Sequence, residues 1–126
     1  MTFGVTKLIA DLHELGFIDT ETLNDPNGTL FGLIKNFEVG AGRFSGRKID
    51  LAIPAPAEYG RLVGSAIHVR STPHLLDKPD AVPGVKNITD SSLGLDWRYW
   101  SHQFIYYPED TTKLLMLQVN GVFRHA

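Results

Sequence analysis

The 126-residue chain carries 12 Lys plus Arg against 14 Asp plus Glu, is 43% hydrophobic and contains no cysteine. A chain of this length buries roughly two thirds of the surface its unfolded form exposes, enough for a single domain over 1–126 that needs no disulfide or structural metal. The missing cysteines exclude a disulfide scaffold, a thiolate zinc site, an iron–sulfur cluster and every thiol nucleophile.

A net charge of −2 gives no broad positive field for a phosphate backbone, so nucleic acid is not expected as a partner. Lys35, Arg43, Arg47 and Lys48 form a local basic excess that reads as a solvated loop. No apolar run is long enough to span a bilayer, and no basic-then-apolar start leads to a small-residue cleavage site. A cytoplasmic protein with no membrane partner is the expectation.

Val5, Leu8, Ile9, Leu12 and Leu15 recur at helical spacing, which predicts an N-terminal amphipathic helix. Gly16 is placed to close its last turn, with Phe17 packing back on the stripe. Residues 19–28 read as a loop with a turn at Asn24-Asp25-Pro26-Asn27-Gly28. From 30 to 39 the period changes to two: Phe31, Leu33, Phe37 and Val39 share a face and only Lys35 is out of pattern. The glycine-rich stretch 40–46 then joins this strand to a second one bearing Ile49, Leu51 and Ile53, as a hairpin ended by Pro54 and Pro56.

Residues 66–70 give a third strand, with Ile67 and Val69 on one face and His68 on the other. Pro73, Pro79 and Pro83 make 71–96 a long irregular segment, and segments of that kind in small domains are usually functional or mobile. After Pro108-Glu109-Asp110-Thr111, the stripe Leu115, Met116, Val119, Val122 and Phe123 predicts a helix; the alternative over 111–124 is a hairpin turning at Asn120-Gly121. The resulting fold class is α+β, an antiparallel meander sheet flanked by N- and C-terminal helices.

No pair of the five histidines has the one-turn spacing of two metal ligands on a helix, so neither a metal nor another cofactor is expected. His68 reads as an ordinary strand histidine, to be promoted to a general base only by a close carboxylate or a cleft. The glycines at 40–46 lack the dinucleotide spacing, Ser65 lacks the glycine of a nucleophile elbow, and Ser91 and Ser92 sit in no motif. The aromatic run Trp97, Tyr99, Trp100, Phe104, Tyr106, Tyr107 serves packing or, with Arg98, a protein contact surface.

An N-terminal helix, then Ile49-Asp50-Leu51-Ala52-Ile53-Pro54-Ala55-Pro56-Ala57-Glu58-Tyr59, then Ile67-His68-Val69, then Ser92-Leu93-Gly94-Leu95-Asp96-Trp97 is an order of pieces that resembles the ubiquitin-conjugating-enzyme fold over about residues 5 to 123. It looks most like the small bacterial families of that superfamily that accompany ubiquitin-like proteins. The Tyr-Pro segment of the family is similar to Pro56-Ala57-Glu58-Tyr59, with Gly60 in place of the proline. Thr72-Pro73-His74 is the nearest neighbour of its His-Pro-Asn motif, in the wrong order and without the asparagine. Leu93-Gly94-Leu95-Asp96 looks similar to its Ile-Cys-Leu-Asp, with Gly94 at the place of the missing cysteine.

Thioester carriage requires a thiolate, and a chain with none cannot perform it. The resemblance therefore implies a catalytically inactive variant that binds a ubiquitin-like protein, an activating enzyme or a JAB-type protease of the same system, with Tyr59, Trp97, Tyr99 and Trp100 as the partner-binding candidates. Two alternatives stand beside it. One is a small hydrolase using His74, Asp96 and His102 of the 71–102 region; the other is an unrelated protein-interaction domain.

Overall fold

The structure, a computed structural model, describes residues 3–40, 42, 44–64, 66–71 and 88–124. In α1 (Val5–Glu14) the apolar stripe faces inward and Leu8 and Leu12 are fully buried. The helix ends at Gly16, whose φ of 100° only glycine adopts without strain; the N–H of Phe17 returns to the carbonyl of Leu12 at 2.9 Å, and the Phe17 ring packs on the core.

Six described strands follow: β1 (Thr20–Asn24), β2 (Leu30–Glu38), β3 (Lys48–Pro54), β4 (Ala66–Arg70), β5 (Ile88–Ser91) and β6 (Gly94–Ser101). They form one antiparallel sheet in the order β1-β2-β3-β4-β6-β5, and α2 (Thr111–Arg124) comes after it. The α+β class with a helix on either side of the sheet in sequence is as expected, and 111–124 is helix rather than hairpin. No described helix is long and apolar enough to cross a membrane.

The sheet is larger than the three strands expected, for two reasons. Residues 20–24, expected as loop, pair with β2 from Thr20↔Ile34 to Asn24↔Leu30. This is an edge strand with mostly solvent-facing residues, so it carries little apolar alternation to betray it. Residues 88–91 and 94–96, expected as irregular, belong to the β5–β6 hairpin. The prolines that suggested irregularity all lie N-terminal to this hairpin, in 72–87, outside the described residues. The aromatic run begins inside β6, where bulky rings suit a half-buried pleated surface.

A third correction concerns β2. Phe31 and Leu33 do not share a face with Phe37 and Val39: the first pair clusters with Ala52 and Trp97, the second with the helices. The pairing with β3 slips between Ile34 and Phe37, and Asn36 sits in the left-handed region at φ 54°. One extra residue in a strand inverts every side chain beyond it. Lys35, the residue out of pattern, marks the bulge.

Both helices lie on one face of the sheet. There Leu8 and Leu12 of α1, Leu115, Met116, Val119 and Phe123 of α2, and Leu51, Ile67, Val69 and Trp100 of the strands form the main core. A polar chain ties the helices together inside it. The Tyr59 hydroxyl lies 2.8 Å from Thr112 Oγ1, the Thr112 hydroxyl donates to Asp11 Oδ2 at 2.7 Å, and Lys7 Nζ donates to the same oxygen at 2.9 Å. Since Thr112 has one proton and gives it to Asp11, Tyr59 is the donor to Thr112. The opposite face of the sheet carries a smaller cluster and no described helix.

Candidate functional site

Strand alternation builds the site on the helix-free face. In β4, Ile67 and Val69 point into the main core and His68 points the other way. His68 stands opposite Ala52 of β3 on one side and Tyr99 of β6 on the other. Because Ala52 is small, the Phe31 ring of β2 reaches over it and meets the His68 imidazole edge-on at 4.8 Å. The Tyr99 ring meets the other side of His68 at 5.2 Å, so three rings run in a row across the sheet.

Two hairpin turns arch over this row. In the β1–β2 turn, Asp25 Oδ1 accepts the N–H of Asn27 and of Thr29, each at 2.9 Å, the local turn chemistry its sequence announces. In the β5–β6 turn, Ser91 Oγ accepts the N–H of Leu93 at 3.0 Å and lies 2.6 Å from His68 Nδ1. Ser91 Oγ and His68 Nδ1 thus share one hydrogen bond, with the imidazole tautomer setting which of the two donates.

Ser92, beside it, donates to the Asp25 carboxylate. Three strand spacings separate β2 from β6, about 14 Å in a flat sheet. The turns bearing Asp25 and Ser92 therefore lean toward each other over this face, and the space between them is concave. The result is an open cleft of about 380 Å³ bounded by Asp25, Phe31, Pro54, His68, Ser92 and Tyr99.

Two ionisable side chains in the cleft are almost fully removed from solvent, His68 at 4% exposure and Asp25 at 8%. Burial drives the His68 imidazole down to about 4, against the opposing pull of Asp25, so it is neutral at physiological pH. Burial also works against the charge on Asp25, but the Thr29 N–H, the Ser92 hydroxyl and the Asn27 N–H outweigh it and hold the carboxyl below its usual range. The cleft thus holds a neutral imidazole beside an ionised carboxylate. Farther along the face, Arg70 is bound to Asp50 at 2.8 Å and lies over the Trp97 ring at 4.7 Å.

Of the expected partner-binding residues, only Tyr99 belongs to this site. Tyr59 is fully buried under the helices, where burial pushes its hydroxyl up to about 12, and it presents no surface to a partner. Trp100 is buried against Phe123, and Trp97 is buried in the small cluster with Arg70 over it. Packing, not contact, is what the tryptophans do here.

Of the residues of the hydrolase alternative, the two described ones, Asp96 and His102, stand apart. His74 lies outside the described residues, as does Ser65. Asp96 is exposed near the start of β6, and the strand alone carries the chain about 16 Å from there to its last residue before His102. The His102 ring packs against Trp100 and Phe104, and burial lowers its basicity. Among the described residues, no three His, Asp or Glu side chains gather as a metal site would require.

Sequence reasoning met the cleft residues one at a time: Asp25 as a turn residue, Phe31 as a strand residue, His68 as an outward-facing histidine. No local motif joins them because the cleft is lined from two hairpin turns and four strands. The condition set for His68, a nearby carboxylate or a cleft, is met on both counts. As a base it is nonetheless weak, because burial holds the imidazole neutral. Compared with family models, with curated proteins and with solved structures, the chain has no match.

Proposed function

We propose that this chain is a non-catalytic binding domain whose ligand seats on the helix-free face of the sheet, in the cleft over His68. The observation that carries the reading is a concave, ring-walled cleft floored by two buried polar side chains, His68 and Asp25. Asp25 also ties its own turn, and the same carboxylate lines the cleft as a fixed charge. The test is an amide-resolved NMR titration of the labelled chain with small aromatic fragments. Shifts grouped at Phe31, His68, Ser92 and Tyr99 support the site; shifts grouped between the helices place binding elsewhere and remove it.

A narrower form of the reading is the inactive ubiquitin-conjugating-enzyme variant of a cytoplasmic bacterial ubiquitin-like system. It is favoured by α1 followed at once by β1, β2, β3 and β4 as neighbours in sequence order, and by the absent thiol. Gly94, at the place of the cysteine, has φ 137° with open space where a Cβ would sit. A cysteine there would have room and a strained backbone, so this turn is shaped for glycine. Titration with a ubiquitin-like protein encoded beside this chain is the check. No heat and no shift at high micromolar concentration would remove that partner and leave the cleft reading untouched.

A further inference from the structure

Resting on the binding reading above, the geometry points to a ligand class: we infer that the cleft takes an organic cation, an ammonium or guanidinium group on an apolar stem. Three observations carry it. First, Asp25 is the charge in the cleft lining; its Oδ1 is held by two backbone N–H groups and its carboxylate by Ser92, so it is fixed in place without the entropy of a free side chain. Second, Tyr99, half-exposed, lines the cleft beside His68, with the buried Phe31 ring on the other side, and an aromatic ring attracts a cation within about 6 Å of its centroid. Third, among the described residues lining the cleft there is no Lys or Arg to neutralise Asp25.

The cations farther along the face do not fill that role. Arg70 is spent on Asp50 and Trp97. An anionic ligand would be repelled by the ionised carboxylate, and a neutral one would draw no charge attraction from it. The cleft volume of about 380 Å³ suits a side-chain-sized ligand. The ammonium or guanidinium group has two possible sources, a free amine or a Lys or Arg side chain of a protein, and the chemistry is the same for both.

The experiment is an amide-resolved NMR titration of the whole labelled chain with phenethylamine and agmatine as free cations, blocked tripeptides carrying a central lysine or arginine, and phenethyl alcohol and phenylacetate as controls, each to about 10 mM, where a millimolar site is saturated. Cations should shift Phe31, His68 and Tyr99 and bind about tenfold more tightly than the alcohol or the anion, the difference a charged hydrogen bond makes. Tripeptides binding better than agmatine assign the ligand to a protein side chain; the reverse order assigns it to a free amine. Asp25→Asn keeps an oxygen for the same two N–H groups, so the fold is retained while the preference for cations disappears. Tyr99→Leu, at a half-exposed position, weakens the cations more than the alcohol. Equal binding of phenethylamine and phenethyl alcohol overturns the ligand class and leaves the cleft standing. If no probe of any charge shifts the cleft amides, this inference and the binding reading fall together.

Discussion

His68 stays neutral because its strand carries it between Phe31 and Tyr99 and Ser91 closes the remaining side, so water cannot solvate an imidazolium there. An unfolded histidine titrates near 6.5 and this one near 4, so between those values the unfolded chain binds a proton that the folded chain does not. Stability therefore falls as pH is lowered through that window, by up to about 3 kcal/mol from this one group. Urea unfolding at pH 7 and pH 4 should show the loss, and His68→Gln should flatten most of it. A slope unchanged by the substitution would mean that another group governs acid unfolding. Tyr59 acts at the other end of the scale: its folded value is raised, so its contribution is full below pH 10 and is lost as pH rises toward about 12. Tyr59→Phe removes the donor to Thr112 from a buried chain and should cost about 1–2 kcal/mol by chemical denaturation, with no loss of helix by circular dichroism.

At the scale of elements, what could be read from sequence depended on whether the signal was local. The stripe of α1, its Gly16 terminus, the 40–46 hairpin and the stripe of α2 are all written in residues close together in sequence, and each stands where it was expected. β1 lacked a signal because its partner β2, not its own apolar content, holds it in the sheet. β5 was obscured by the prolines before it. The cleft was illegible for the same reason in stronger form: Asp25 and Ser92 stand 67 positions apart, in turns of different hairpins that meet only across the sheet, which no short window of sequence encodes.

The bulge in β2 lies between these cases, since Lys35 broke the alternation visibly without saying that the strand beyond it had turned over. Asn36 makes that inversion possible by taking φ 54° while its N–H bonds to Asp50 Oδ1 at 3.2 Å. Asn36→Gly should keep the bulge at a cost of a few tenths of a kcal/mol, whereas Asn36→Val, β-branched in the left-handed region, should cost about 1–2 kcal/mol. Comparing the two denaturation midpoints checks it; equal midpoints would show that the register does not depend on this residue.

For the whole molecule, the question is whether the two faces of one sheet unfold as one unit. The helix-side core joins both helices to β2, β3, β4 and β6, while the opposite cluster of Phe31, Leu33, Ala52 and Trp97 has, among the described residues, only strands and turns around it. Neither cluster has a backbone of its own: each strand that presents a residue to one face presents the next to the other, so losing the pairing of β4 with β6 breaks both together. The two tryptophans report on this from opposite sides, Trp100 beside Phe123 under α2 and Trp97 beneath Arg70. Single-tryptophan variants made by Trp97→Phe and Trp100→Phe should each show one fluorescence transition that coincides with the loss of helical signal in the same variant. An earlier transition for the Trp97 reporter would separate the cleft face as a locally opening layer, and binding there would then have to supply the free energy of ordering it. Coincidence is the expected result, because the arching turns are anchored to each other and to β4 by Ser92–Asp25 and Ser91–His68. The cleft is then as rigid as the sheet that forms its floor, and its ligand is recognised by a surface already in place.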